Sequence, residues 1–122
     1  MKIIALILAS VSLSALAQLV LKLGMSGAGI QRALAGESLI GSVAAVATDG
    51  RVLLGLFLYG VGAVLWLWVL AQTDLSFAYP FVGLGFILTM LFGFAFLGET
   101  VGLARLSGTL LIVAGVFLVS RS

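Results

Sequence analysis

No charged side chain interrupts the chain between Asp74 and Glu99, and Ile3 to Leu21 and Leu53 to Ala71 are equally free of charge. A fourth apolar stretch, Val101 to Val119, carries only Arg105, in its first turns. At 1.5 Å per residue, about 20 apolar residues cross the roughly 30 Å hydrocarbon layer of a bilayer. Such runs cannot be hidden in a water-soluble core here: 63% of the residues are hydrophobic and 8% are charged, against about 25% charged in ordinary soluble domains. Too little polar side chain remains to coat a water-facing surface. The sequence predicts an all-α membrane protein of four transmembrane helices, working as a dimer, with spans near 3–21, 53–71, 77–97 and 101–119.

Lys2 and Lys22 bracket the first span. The small residues Ala15 and Ala17 also fit a signal-peptide cleavage site, but the polar pattern inside this helix argues for a retained span. Residues 24–50 form the connector, with Arg32, Glu37 and Asp49 among six glycines. Within it Leu39, Ile40, Val43, Ala44 and Ala47 recur at helical spacing, which fits a short helix lying at the interface; a mobile linker is the other reading. Asp49-Gly50 marks a turn. Pro80 is placed in the first turn of the third span, where its missing N–H costs little, and Thr100 as N-cap of the fourth. Four spans put Lys2 and Arg121 on one side of the membrane and Lys22, Arg32, Arg51 and Arg105 on the other, so the positive-inside rule leans towards a cytoplasmic connector.

Several function classes fall away. With no cysteine, no histidine and only four carboxylates, neither a transition-metal site nor a Ser-His-Asp or Cys-His catalytic set can be built. A net charge of +2 is too small and dispersed for nucleic acid. No cofactor or enzymatic activity is expected.

The polar residues within the spans are few and patterned. Ser10, Ser14, Gln18 and Lys22 follow one another at four-residue steps and share one helical face. Polar groups in lipid need partners. The stripe therefore serves either as the wall of a headgroup path, with Lys22 meeting an anion at its mouth, or as helix–helix hydrogen bonding with a routine interfacial lysine. Gly55, Tyr59, Gly62 and Trp66 form a second face, suited to an apolar chain or sugar ring, or simply to close helix packing. Tyr79 and Gly83 could open space in the third span, or mark a close helix contact. Glu99 could recognise a cation or neutralise Arg105. Ala104, Gly108 and Gly115 give the fourth span a small-residue face, read as a dimer interface. No acid stands at mid-span, which disfavours proton-for-cation exchange.

Leu65 to Leu70 (LWLWVL), Leu75 to Pro80 (LSFAYP), Leu97-Gly98-Glu99 and Gly108 to Val116 (GTLLIVAGV), in this order and extended by Gln18 to Lys22, resemble the small drug/metabolite transporter superfamily. Within it they look like EamA-like proteins and the ArnE and ArnF subunits of aminoarabinose–phosphoundecaprenol flippases. The resemblance implies a four-helix subunit of the bacterial inner membrane, pairing as a homodimer or with a related four-helix subunit. It also implies movement of a polyprenyl-phosphate-linked sugar for lipid A modification. The small multidrug resistance branch relies on a first-helix glutamate, and Ser14 stands at about that place here; Asp74 stands where these families often have proline. On this reading Ser14, Gln18 and Tyr79 line a groove, Lys22 attracts the phosphate, and Tyr59 and Trp66 border the sugar or tail, with membrane lipid around them. A small exporter of cationic or amphipathic compounds, and a non-transporting partner subunit, are the alternatives.

Overall fold

The computed structural model describes residues 2–36 and 38–122; Glu37 of the connector lies outside them. Among the described residues seven α-helices follow in order: α1 (Lys2–Met25), α2 (Ala28–Ala35), α3 (Leu39–Thr48), α4 (Gly50–Gln72), α5 (Leu75–Ala78), α6 (Val82–Phe96) and α7 (Leu103–Ser120). A 3₁₀ turn, Tyr79–Phe81, joins α5 to α6, so that Leu75–Phe96 runs as one span. With α1, α4 and α7 it makes four helices long and apolar enough to cross a membrane. Helices are the expected solution, because lipid offers the backbone no hydrogen-bond partners. The outward leucines and phenylalanines of α4, α6 and α7 are what a protein solvated by acyl chains presents.

Three details depart from the sequence expectations. Asp49-Gly50 is a helix start rather than a separate turn: the Asp49 carboxylate accepts from the N–H groups of Arg51 at 3.0 Å and Val52 at 3.1 Å, the usual capping chemistry for aspartate. Thr100 does not cap α7, whose N-cap is Gly102 without a side-chain bond. Pro80 lies beyond the first turn, because the span already starts at Leu75. Its absent N–H breaks the four-residue ladder, and the backbone tightens so that the Val82 N–H reaches the Tyr79 carbonyl. The connector is helical over most of its length. α2 was hidden from sequence by the glycines in and around it, at 27, 29 and 36.

Packing is uneven along the bundle. α1 and α4 lie together over their whole length because small residues let the backbones approach. A Cβ on Gly55 would stand 2.7 Å from Leu21 Cγ, one on Gly62 3.0 Å from Ser14 Oγ, and one on Gly24 2.9 Å from Val52 Cγ2. The buried core of Ile7, Val11, Val69, Ala78, Phe81 and Val116 gathers four spans at the end marked by Lys2, Asp74 and Arg121. α6 also packs on α1, where Gly85 admits Val11. α4 and α6 make no comparable contact with each other. Both lean on α1 and leave a groove between them.

Candidate functional site

The floor of that groove is α1, because the serines and glutamine of its polar face cannot be turned to lipid at low cost. Ser10 is the anchored member: its hydroxyl donates to the Gly62 carbonyl at 2.8 Å, and the side chain is buried. It is therefore a helix–helix bond. Ser14 and Gln18, one and two turns further on, line a cavity of about 340 Å³. Its walls are Tyr59, Ala63 and Trp66 from α4, and Val82, Gly85, Phe86 and Thr89 from α6, with Tyr79 from the 3₁₀ turn.

Tyr79 and Trp66 meet edge to face, ring centroids 6.2 Å apart, the arrangement favoured by aromatic quadrupoles. They bridge α4 and the third span at the tightly packed end. In the other direction the groove continues into a second cavity of about 410 Å³, which shares Gln18, Phe86 and Thr89 with the first and adds Leu19, Lys22, Phe92, Gly93, Leu97 and Glu99. The joined space has an apolar, aromatic lining, a hydroxyl-and-amide floor, and both of its charged groups at one mouth. Its size falls in the range of ordinary ligand sites.

Seven of the residues named from sequence as candidate binders therefore share one space: Ser14, Gln18, Lys22, Tyr59, Trp66, Tyr79 and Glu99. Gly83 does not. It is buried against α7, where a Cβ would stand 2.5 Å from Ile112 Cγ2; it sets the α6–α7 distance, and Gly85, two residues on and on another face, is the glycine that opens the groove. Thr89, Phe86 and Gly85 were missed as site residues. Their spacing at 85, 86 and 89 marks one helical face, a signal obscured because α6 is apolar on every side. On α4, Gly55 and Gly62 pack against α1, while Tyr59 and Trp66 line the cavity. The Arg105 guanidinium donates to the Thr100 carbonyl at 3.1 Å. On α7, Cβ positions at Gly108 and Gly115 meet nothing within 4 Å, and Ala104 is exposed.

A sequence model of the EamA-like transporter family matches residues 1–121. The chain is similar to a protein described as probable 4-amino-4-deoxy-L-arabinose-phosphoundecaprenol flippase subunit ArnE in Pseudomonas aeruginosa. The two are 41% identical over 69 residues, 57% of this chain and 60% of that one. Proteins of the same description in Pectobacterium atrosepticum (38% over 71 residues, 58% and 63% of the two chains) and Pseudomonas fluorescens (33% over 73 residues, 60% and 64%) are also similar. The matches span about three fifths of the length of these relatives. No solved structure matches.

Proposed function

The chain belongs to the EamA-like transporter family, and from that premise we propose that this multi-pass membrane protein is a flippase subunit for a polyprenyl-phosphate-linked sugar, such as aminoarabinose, in the bacterial inner membrane. The observation that carries the reading is the continuous groove from Trp66 and Tyr79 to Lys22, floored by Ser14 and Gln18. A lipid-linked sugar has a polar head and a very long hydrocarbon tail. Only the head needs a polar path; the tail stays among acyl chains, where its transfer costs nothing. A groove bounded by two helices that barely touch suits such a cargo, because the tail can trail out between them while the head moves along α1.

The parts then have defined roles. Lys22, a compact charge on a flexible stem, takes the phosphate at the mouth. Gln18, Ser14 and Thr89 exchange hydrogen bonds with sugar hydroxyls, replacing water as the head moves inward. Tyr59 and Trp66 supply apolar faces for the ring or the first isoprene units, and the Trp66–Tyr79 contact is the barrier to be parted. No covalent step is required. Lys22, Arg32, Arg51 and Arg105 lie at the mouth end and Lys2 and Arg121 at the other, so the positive-inside rule favours a mouth facing the cytoplasm. The similarity to proteins described as flippase subunits, together with the unfilled α7 face, supports pairing with a second four-helix subunit, identical or related.

The test is headgroup translocation in reconstituted vesicles, read as protection of a sugar-phosphate polyprenyl lipid from a membrane-impermeant reagent. Lys22→Ala is expected to lower the rate at least tenfold while its helical circular dichroism stays that of the parent. An unchanged rate with intact fold removes Lys22, and with it this account of the mouth.

A further inference from the structure

Glu99 follows the end of α6, where a free loop would send its carboxylate into water. A left-handed turn and two contacts bring it back over the helix. Gly98 takes a φ of 68°, the left-handed conformation that glycine adopts without a Cβ penalty. The N–H of Glu99 then donates to the Gly93 carbonyl at 3.0 Å. The carboxylate itself rests on the bare α-carbon of Gly93, where any Cβ would collide with Oε1. The cation six residues on, Arg105, is engaged with the Thr100 carbonyl. Glu99 is thereby delivered into the cavity that Lys22 lines.

Stability does not explain the arrangement, since exposed lysine–carboxylate pairs contribute little, and both side chains are exposed at the mouth. Nor does a purely anionic cargo: a carboxylate beside the phosphate position would repel it. A site with one positive and one negative group selects a ligand carrying both charges and disfavours a ligand carrying one.

We propose that Lys22 and Glu99 together read a zwitterionic headgroup, Lys22 taking the phosphate and Glu99 the protonated primary amine of the sugar. The inference rests on the flippase reading above and deepens it: the amine becomes the selected feature. Glu99 also excludes headgroups in which that nitrogen is acylated or replaced by hydroxyl.

The experiment uses the full-length protein in vesicles with three synthetic polyprenyl phosphate lipids that differ only at one sugar position: amino, N-acetylamino and hydroxyl. The parent protein should move the amino lipid at least tenfold faster than the other two. Glu99→Gln should collapse that ratio to within about twofold, and Lys22→Ala should slow all three lipids. Gly93→Ala, which keeps both charges but displaces the carboxylate, should also reduce the ratio; it guards against reading a fold defect as a charge effect. A preference that survives Glu99→Gln overturns the zwitterion inference and leaves the flippase reading standing. A parent protein that moves none of the three lipids overturns both.

Discussion

At the residue scale the α1–α4 pair is organised by what is missing from its glycines. Gly55 and Gly62 turn bare backbone to α1, and Ser10 uses the closeness to donate to the Gly62 carbonyl at 2.8 Å. Gly60 faces away, with nothing within 4 Å of a Cβ. Gly55→Ala must push Leu21 and its backbone N aside, and overpacking of this kind costs about 1–3 kcal/mol. Gly60→Ala adds only helix propensity and should be neutral or stabilising by up to about 1 kcal/mol. Ser10→Ala, which loses one interhelical bond, should cost about 0.6–2 kcal/mol. Reversible unfolding in mixed micelles would check all three; equal effects at Gly55 and Gly60 would contradict the packing described. These glycines are visible in the sequence, but not which of them face a partner, since an i+4 pattern reports a shared face without reporting its neighbour.

At the element scale the connector is the part that sequence left open between helix and linker. It forms α2 and α3, and α3 is held at its start by Ser38, whose hydroxyl oxygen accepts from the Gly41 N–H at 3.0 Å. Ser42 ties the two helices together by donating to the Ala33 carbonyl at 3.1 Å. α3 carries no charge yet leaves Leu39 78% and Ile40 83% exposed. It is too short to cross a bilayer, and it packs on α2 and α4. We propose that its apolar side lies at the boundary between headgroups and acyl chains. A nitroxide at Ile40 in the reconstituted protein should collide more with oxygen than with a water-soluble nickel chelate; the opposite order would place α3 in water. The third span makes a related point. From sequence Pro80 reads as a harmless first-turn residue, but the span begins at Leu75, so Pro80 falls inside it and the 3₁₀ turn that carries Tyr79 to Trp66 results.

At the scale of the whole molecule the chain is gathered at one end and open at the other. The core of Ile7, Val69, Ala78, Phe81 and Val116 closes the end near Lys2 and Arg121, while the groove opens towards Lys22 and Glu99. α7 packs on the third span through Thr109, Ile112 and Val116 and turns its other faces outward, with Gly108 and Gly115 unopposed. If a second subunit packs there as proposed, Gly108→Leu should fill the gap and lower the dimer fraction several-fold, measured by energy transfer between labelled subunits at fixed protein-to-lipid ratio. The same substitution should not lower the unfolding midpoint of the monomer, because nothing lies within 4 Å of a Cβ at that position. An unaltered dimer fraction would move the interface elsewhere.

The sequence by itself determined the all-helical membrane class and the four spans, because lipid makes every spanning segment meet the same local requirement, a long uncharged run whose backbone bonds to itself. It also exposed the polar stripe of α1, since polar atoms are rare enough in such segments to stand out. The tertiary structure alone decided which faces meet. That Gly83 spaces α6 from α7 while Gly85 opens the groove, that Thr89 lies on its wall, and that Glu99 folds back to join Lys22 are outcomes of side-chain shape and backbone approach. Lipid solvates every apolar face about equally well, so hydropathy carries no record of them.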